Sequence, residues 1–250
     1  MSSADITLTV AITGAGSGIG AACARAFLAA GARVGVLDLE PGSWANPDVL
    51  TVTADVSDQT SVDAALRRVG NRFGGVDVLV NNAGISAVGT IEDNDDDEWH
   101  RVLDVNVVGM VRATKAALPY LRASSAAAIV NVSSIAATAG LPNRALYSAS
   151  KGAVHALTLA MAADLIGDGI RVTCVAPGTV DTPWVARLLA TSDDPEGDRR
   201  RLEARQPTGR LVTADEVANA VRYLADPRNG ATTGTSLAVD GGMGGLRLPR

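Results

Sequence analysis

The chain has little cysteine, few aromatic residues and no long apolar run. Its only cysteines, Cys23 and Cys174, are too few and too far apart in sequence for a disulfide framework or a zinc cluster, and we interpret both as small buried hydrophobic residues. No stretch of about 18 apolar residues runs without interruption by charge, so no membrane-spanning helix is predicted. Aromatic residues make up only 3 % of the chain, which predicts an interior filled by small side chains.

Positive charge is also scarcer than negative charge. The net charge of −5 gives no electrostatic reason to expect nucleic acid or an anionic membrane as a partner. The N-terminus has no basic stretch followed by an apolar run, so no signal peptide is expected. A cytoplasmic protein with a small-molecule ligand is therefore the expectation.

The chain is predicted to form one domain over residues 1–250, because no linker, repeat or low-complexity block divides it. Short β-branched runs alternate with longer helical patterns. The predicted strands are Leu8–Thr13, Arg33–Leu37, Val49–Thr53, Val76–Val80, Ala128–Val132, Ile170–Val175 and Leu237–Val239. The predicted helices are Gly18–Ala30, Ser57–Phe73, Asp95–Arg122, Arg144–Ile166, Asp181–Glu203 and Thr213–Ala225. This alternation predicts an α/β fold, a Rossmann-type doubly wound parallel sheet of about seven strands flanked by helices, with a loop at 38–48.

A glycine-rich turn, Thr-Gly-Ala-Gly-Ser-Gly-Ile-Gly at 13–20, joins the first predicted strand to the first predicted helix. Glycine tolerates positive φ and lets a ligand approach the backbone, and the free N–H groups of a helix start attract negative charge. The turn therefore predicts a site for the pyrophosphate of a dinucleotide, with a plain tight turn as the alternative. The expected contacts are Gly14, Ser17, Gly18, Ile19 and Gly20.

The second predicted strand is followed by Asp38, 20 residues after Gly18. A carboxylate at this spacing is expected to accept both ribose hydroxyls of the adenosine. It would repel the 2′-phosphate of NADP, and Leu39 supplies no compensating charge, so NAD is the predicted cofactor. Asp55 and Val56 are candidate adenine contacts, with helix capping as the alternative for Asp55. The residues after the fourth strand that would line the cofactor are Asn82, Ala83 and Gly84.

Tyr147 and Lys151 lie four residues apart in Tyr-Ser-Ala-Ser-Lys, within a predicted helix. This spacing places both side chains on one face, where the ammonium would stabilise the phenolate. Lowering a tyrosine pKa from about 10 to near 7 requires about 4 kcal/mol, which we expect from the ammonium, a positive nicotinamide ring and a hydrogen bond. Ser134, thirteen residues earlier, would hold a substrate oxygen near the hydroxyl. An exposed helix pair is the alternative.

These motifs, in this order, closely resemble the short-chain dehydrogenase/reductase family in its single-domain form. The resemblance covers essentially the whole chain and extends to Asn-Asn-Ala-Gly at 81–84, Asn-Val-Val-Gly at 106–109, Pro-Gly at 177–178 and Asp-Gly-Gly at 240–242. It implies that Tyr147 is the acid/base, that Ser134 orients the substrate, and that Lys151 binds the nicotinamide ribose and lowers the tyrosine pKa. Asn106 is implied to hold a water of the proton relay.

The resemblance also implies further contacts and an assembly. The nicotinamide would be contacted by the residues after the sixth strand, which are Pro177, Gly178, Thr179, Val180 and Thr182. A homotetramer, or a homodimer, would form through the two long central helices, whose Ala- and Val-rich faces fit that expectation.

Two stretches, 177–183 and 204–210, resemble a branch of the family that oxidises small hydroxy acids and sugar acids, including 3-hydroxybutyrate and 2-keto-3-deoxy-L-fuconate dehydrogenases. That branch holds the substrate carboxylate with arginines. Arg144 and Arg205 match two of them, and residues 181–210 would form the substrate lid. The third position holds Leu188; its neighbour Arg187 is turned by about 100° on a helix and is not among the predicted contacts. A surface position for Arg144 and a helix-end cation for Arg205 are the alternatives.

The predicted function is NAD-dependent interconversion of a secondary alcohol and a ketone, on a small hydroxy acid, sugar acid or sugar. One alternative, an NADPH-dependent 3-oxoacyl-thioester or steroid ketone reductase, is opposed by Asp38. The other, a non-catalytic NAD-binding regulator, is opposed by the complete catalytic set. His100 and His155 lie inside predicted helices without a second ligand nearby, so no metal site is predicted.

Overall fold

The computed structural model describes residues 7–247, in which strands and helices alternate. The strands are β1 (Thr9–Thr13), β2 (Arg33–Asp38), β3 (Val49–Thr53), β4 (Val78–Asn81), β5 (Ala128–Val132), β6 (Arg171–Pro177), β7 (Val180–Asp181), β8 (Val212–Thr213) and β9 (Ser236–Val239). The helices are α1 (Gly18–Ala29), α2 (Gln59–Phe73), α3 (Asp96–Leu103), α4 (Gly109–Ala123), α5 (Ala145–Leu165), α6 (Pro183–Ala190), α7 (Pro195–Ala204) and α8 (Ala214–Ala225). None of the helices within 7–247 is long and apolar enough to cross a bilayer.

Seven strands form one sheet in the order β3-β2-β1-β4-β5-β6-β9, and every neighbouring pair is parallel. This confirms the predicted doubly wound α/β fold. The chain reverses its direction of travel across the sheet between β1 and β4, where Val10 is paired with Val34 on one side and Val78 on the other. Such a reversal opens a crevice at the carboxyl ends of the two strands, and ligands of doubly wound sheets bind there.

Both faces of the sheet are covered by helices, as a parallel sheet requires. One apolar cluster joins the sheet to α1 and α8, and a second joins it to α2, α4 and α5. The packing depends on small residues: a Cβ added to Gly35 in β2 would lie 2.5 Å from the Cγ2 of Val69. Cys23 and Cys174 are buried thiols, as predicted, and burial raises the pKa of Cys23 to about 12.

The predicted single helix over 181–203 is wrong, because the structure has two helices there, α6 and α7. Pro195 occupies the start of α7, and the Asp194 carboxylate caps it by accepting from the N–H of Gly197 at 2.9 Å. A proline inside a helix would remove a hydrogen bond and clash with the preceding turn.

The span 95–122 is helical as predicted, but a π-helical turn, Asp104–Val108, separates α3 from α4. Residues 38–48 contain no helix, also as predicted.

The 181–210 segment containing α6 and α7 is anchored at both ends. Its ends join through the short parallel pair of β7 and β8, with Val180 opposite Val212. Arg199 of α7 donates to the carboxylate of Asp181 at 2.8 Å. The buried amide of Gln206 donates to the carbonyl of Arg210 at 2.8 Å and of Thr179 at 3.3 Å. The segment is therefore fastened to the carboxyl edge of the sheet, next to the crevice.

Candidate active site

A cavity of about 640 Å³ lies at the carboxyl ends of the central strands and extends to α6 and α7. It brings together nearly all of the residues that the motifs predict. The predicted contacts that line it are Gly14, Ser17, Gly18, Ile19, Asp38, Leu39, Asp55, Val56, Asn82, Ala83, Gly84, Ser134, Arg144, Tyr147, Lys151, Pro177, Gly178, Thr179, Val180, Thr182 and Arg205. Two predicted residues, Gly20 and Asn106, are absent from this lining.

The glycine turn fits the pyrophosphate of a dinucleotide. Gly14 and Gly18 have φ values of +65° and +55°, in the left-handed region that side chains disfavour. A Cβ at Gly14 would lie 2.7 Å from the Cα of Ala83, and one at Gly20 would collide with the Gly14 carbonyl. Gly20 therefore shapes the turn from behind and does not reach the cavity. Ser17 caps α1 without a side-chain hydrogen bond, so the first N–H groups of that helix are available to an anion.

Asp38 is held at the end of β2 by two backbone donors. Its carboxylate accepts from the N–H of Gly16 at 2.8 Å and of Glu40 at 3.0 Å. Leu39, which follows it, is 63 % exposed. The lysine and arginine side chains of the cavity wall are Lys151, Arg144, Arg187 and Arg205, which come from α5 and the 181–210 segment and not from this part of the wall. The Asp38 end of the cavity is thus acidic.

Asp55 lines the cavity and also forms a local turn. Its carboxylate accepts from the N–H of Ser57 at 2.8 Å and from the hydroxyl at 2.6 Å, and these bonds hold its pKa below the ordinary value. The residue that caps α2 is Asp58, which accepts from the N–H of Thr60 at 2.9 Å. Asp55 therefore does not cap α2 and instead stabilises the turn that precedes this helix, and its contact with adenine stays a prediction.

Tyr147 and Lys151 share one face of α5, as the spacing predicts. The Lys151 ammonium lies 5.8 Å from the centre of the Tyr147 ring and donates to the carbonyl of Val132 at 2.9 Å. Ser134 follows β5, and its hydroxyl accepts from the N–H of Ala136 at 3.1 Å. The two potential proton carriers and the serine therefore meet at one place in the cavity wall.

The protein groups alone do not make the phenol acidic, and the expected lowering of its pKa with a bound nicotinamide stays a prediction. Burial raises the pKa of Tyr147 above its usual value, and a hydrogen bond with Ser134 and the positive charge of Arg144 offset only part of that rise. Burial also lowers the pKa of Lys151 to about 8. The physical reason is the same for both, because removal from water disfavours the charged form of either group.

Asn106 lies behind the cavity wall, in the π-helical turn. Its side-chain oxygen accepts from the N–H of Ile85 at 2.7 Å, and its amide donates to the Ile85 carbonyl at 2.9 Å and to the Ser150 hydroxyl at 3.0 Å. A Cβ at Gly84 would lie 3.1 Å from the Asn106 oxygen and 3.5 Å from the Lys151 ammonium. Asn106 is therefore close to Lys151, and its role in a water relay stays a prediction.

Three arginines line the cavity, one at the start of α5 and two in the 181–210 segment. Half-buried Arg144 donates to the carbonyl of Ala87 at 2.9 Å. The pKa of Arg144 is lowered, mainly by burial. The nearby phenol of Tyr147 raises this pKa, and the like charge of Arg205 lowers it. Arg187, which is not among the predicted contacts, lines the cavity together with its neighbour Leu188. Among the described residues, none of the three arginines forms an ion pair.

Apolar wall residues were not predicted from the motifs. They come from the stretches after β4 and β5 and from the 181–210 segment, and they include Ile85, Leu141, Trp184 and Leu202. No motif marks these positions, since their contribution depends on where each loop and helix packs.

Of the two histidines, His100 is exposed on α3 and His155 is half-buried on α5. Within 7–247 no three His, Cys, Asp or Glu side chains are grouped to hold a metal.

Known proteins resemble this chain over almost its full length. A family model described as enoyl-(acyl carrier protein) reductase matches residues 14–244. The chain is 41 % identical over 244 residues to 2-(S)-hydroxypropyl-CoM dehydrogenase 3 from Xanthobacter autotrophicus, covering 94 % of this chain and 95 % of that protein. It is also 41 % identical over 240 residues to cis-4-hydroxycyclohexanecarboxylate dehydrogenase from Sinomonas cyclohexanicum, covering 92 % and 94 %.

Solved structures agree in fold. The aldohexose dehydrogenase of Thermoplasma acidophilum has a TM-score of 0.90 at 34 % identity, covering 98 % of both chains. The 3-ketoacyl-(acyl-carrier-protein) reductase of Brucella melitensis, solved with NADH, has a TM-score of 0.87 at 34 % identity, covering 96 % of this chain and 100 % of that one. The glycine turn, the shared face of Tyr147 and Lys151 and these relatives lead to one conclusion. This chain belongs to the short-chain dehydrogenase/reductase family and is an oxidoreductase that acts on CH–OH groups with a nicotinamide cofactor.

Proposed function

We propose that the enzyme oxidises a secondary alcohol that carries a carboxylate, such as a small hydroxy acid or sugar acid, with NAD. One observation carries this proposal: the carboxylates and the arginines of the cavity wall come from different parts of the fold. Asp38 lies at the end of β2 and Asp55 follows β3, whereas Arg144, Arg187 and Arg205 come from the start of α5 and the 181–210 segment and form no ion pair among the described residues. A cavity of this kind favours a ribose beside the carboxylates and an anion beside the arginines.

NAD is proposed over NADP because of the carboxylate of Asp38. The N–H groups of Gly16 and Glu40 hold this carboxylate in place at 2.8 and 3.0 Å, so it is pre-organised to accept the hydroxyls of a ribose. A phosphate on that ribose would meet a fixed like charge, with no arginine or lysine in this part of the wall to neutralise it.

The chain supplies the proton chemistry. When bound, the oxidised nicotinamide provides the acceptor for the hydride of the carbinol carbon. Tyr147 takes the hydroxyl proton of the substrate, and Ser134 donates a hydrogen bond to the same oxygen and so orients it. Lys151 binds the ribose next to the nicotinamide, and Asn106 holds a water that connects Lys151 to solvent. The 181–210 segment closes over the substrate and excludes water.

The phenol needs the cofactor to become a base. With the protein groups alone, burial keeps the pKa of Tyr147 above its usual value. The positive charge of the oxidised nicotinamide would offset that burial, since an adjacent opposite charge favours the phenolate. Substrate oxidation and formation of the base are therefore coupled to the oxidised state of the cofactor.

The names of the relatives support an alcohol with a defined polar end. The Sinomonas cyclohexanicum relative is named for a hydroxycyclohexanecarboxylate, and the Thermoplasma acidophilum neighbour for an aldohexose. The arginines favour the carboxylate, because a guanidinium group binds a planar anion in a bidentate manner, and Arg144 is half-buried while Arg187 and Arg205 are exposed at the cavity. An uncharged sugar is the second candidate, favoured by the TM-score of 0.90 to the aldohexose enzyme.

The first test measures NAD and NADP reduction with cis-4-hydroxycyclohexanecarboxylate, 3-hydroxybutyrate, an aldohexose and 4-methylcyclohexanol. We expect a higher kcat/KM with NAD and with the carboxylates. Tyr147→Phe should lower kcat about a thousandfold, the range of general acid–base catalysis, and leave the dissociation constant for NADH near that of the wild type. A preference for NADP, for the aldohexose or for 4-methylcyclohexanol would contradict the proposal, as would substantial turnover by the Phe variant.

A further inference from the structure

The guanidinium group of Arg144 already makes two contacts with the protein, one hydrogen bond and one cation–π contact. It sits at the start of α5, where its Nη1 donates to the carbonyl of Ala87 at 2.9 Å. Its guanidinium carbon lies 5.9 Å from the centre of the Trp184 ring. A guanidinium over an aromatic face interacts through its charge, while its N–H donors point outward in its own plane, so this contact leaves available the donors that the Ala87 carbonyl does not take.

Trp184 comes from a different part of the molecule, the second residue of α6. Val185 and Leu189 are buried and anchor this helix, whereas Trp184 is 39 % exposed and lines the cavity. The indole is therefore not part of the apolar core under α6. Its contact with Arg144 joins the 181–210 segment to the helix that carries Tyr147.

We propose that Trp184 is a positioning residue for substrate specificity. Its ring fixes the orientation of the Arg144 guanidinium, so that the free N–H donors of Arg144 point toward the substrate carboxylate. This inference rests on the proposed function, in which the substrate is an anion. The chemical class that it selects is a planar carboxylate attached to the secondary alcohol, since two parallel N–H···O bonds need both groups in one plane.

Two features of the site make pre-orientation of Arg144 valuable. An arginine side chain has several rotatable bonds, and fixing it before the substrate arrives reduces the ordering cost of binding. Arg144 is also half-buried and close to the like charge of Arg205, so its charge is less well stabilised than in water, and pairing with an anion offsets this. Because the indole is on α6, the position of the 181–210 segment sets the orientation of Arg144.

The test compares one anionic and one neutral alcohol of similar size, cis-4-hydroxycyclohexanecarboxylate and 4-methylcyclohexanol. Trp184→Leu removes the aromatic face and keeps an apolar side chain. We expect this variant to raise KM for the carboxylate about tenfold, between the values for an exposed and a desolvated cation–π contact, with kcat retained and little change for the neutral alcohol. Trp184→Phe restores a ring face and should recover most of the affinity. Tyr223→Leu, which removes an exposed aromatic residue from α8, should change neither substrate.

A double variant then tests whether Trp184 acts through Arg144. In an Arg144→Met background, Trp184→Leu should add nothing to the loss of carboxylate affinity. Binding of the non-reacting anion cyclohexanecarboxylate to the NAD complex, followed by calorimetry, gives the same comparison without turnover. Equal losses for both alcohols, or additive losses in the double variant, would overturn the inference alone. A wild-type enzyme that does not prefer the carboxylate would overturn both the inference and the proposed substrate class.

Discussion

At the scale of single residues, the most consequential feature is the burial of Lys151. Its ammonium is removed from water, donates a hydrogen bond to the carbonyl oxygen of Val132 at 2.9 Å, and has a pKa lowered from 10.5 to about 8. Such a group destabilises the fold when it is charged, because the unfolded chain holds the proton more tightly. Its position next to Tyr147 is therefore explained by function and not by stability.

This burial predicts a pH dependence of stability. The folded pKa lies below the unfolded one, so between about pH 8 and 10.5 the unfolded chain binds more protons at Lys151, and the contribution of Lys151 to the free energy of unfolding rises with pH. From pH 7 to 9.5 this contribution is about 2 kcal/mol. Lys151→Met should lack it, whereas Lys115→Met, which replaces an exposed lysine of α4, should retain it. Urea unfolding at several pH values in this range measures the difference; parallel curves for wild type and Lys151→Met would contradict the burial.

Cofactor choice is also decided by single residues. Replacing Asp38 with Ala removes the carboxylate that would face a 2′-phosphate, and Leu39→Arg adds a cation at a position that is 63 % exposed. Opposite or like charges near a surface interact by about 4 kcal/mol at 4 Å, so the double variant should shift the ratio of kcat/KM for NAD and NADP at least about tenfold toward NADP. Steady-state kinetics with both cofactors measures the shift, and Leu39→Arg alone is the control. An unchanged ratio would show that Asp38 does not face the ribose.

At the scale of elements, the π-helical turn between α3 and α4 connects two parts of the site. Arg112 of α4 donates to the Asp104 carboxylate at 2.7 Å and to the Val56 carbonyl at 3.2 Å. A Cβ at Gly109 would lie 3.0 Å from the Val56 side chain. The turn that directs Asn106 inward is thereby joined to the loop that carries the candidate adenine contacts.

This connection predicts a defect in cofactor affinity from a residue outside the cavity wall. Arg112→Met removes both hydrogen bonds and should raise KM for NAD about tenfold, the lower end of the effect of a charged hydrogen bond, with kcat nearly unchanged. Arg122→Met, which breaks an exposed ion pair at the other end of the same helix, is the matched control. Steady-state kinetics with varied NAD measures the change. A loss confined to kcat, or equal effects of both variants, would contradict the connection.

The elements differ in how well the sequence predicts them. Short apolar runs between helical patterns predict all seven strands of the main sheet, because a strand buried on both faces needs a continuous apolar run. The break before α7 had a signal in Pro195, which the helical periodicity on either side obscured. The π-helical turn has no signal in the sequence, because residues Asp104–Val108 have the pattern of an ordinary helix. The Arg144–Trp184 contact joins residues 40 positions apart and depends on how α6 packs.

At the scale of the whole molecule, the site exists because the sheet reverses between β1 and β4. The glycine turn follows β1, the Asn-Asn-Ala-Gly stretch follows β4, and Ser134 follows β5, so elements distant in sequence meet at one edge. Motif order therefore predicts which residues share the cavity. It does not predict the pKa direction of Tyr147, because the burial that raises it is a property of the packed molecule and of no local pattern.

The surface of the molecule predicts self-association, which we expect as a homotetramer or homodimer. Large apolar residues are exposed next to and on the central helices: Val108 at 42 %, Leu159 at 44 % and Ile166 at 56 %. Buried apolar area drives association, and charge in the centre of such an interface opposes it. Leu159→Glu should therefore lower the sedimentation coefficient of the protein, whereas Leu39→Glu, at an exposed leucine beside the cavity, should leave it unchanged. A wild-type protein that sediments as a monomer would contradict the prediction, because these side chains would then remain exposed to solvent.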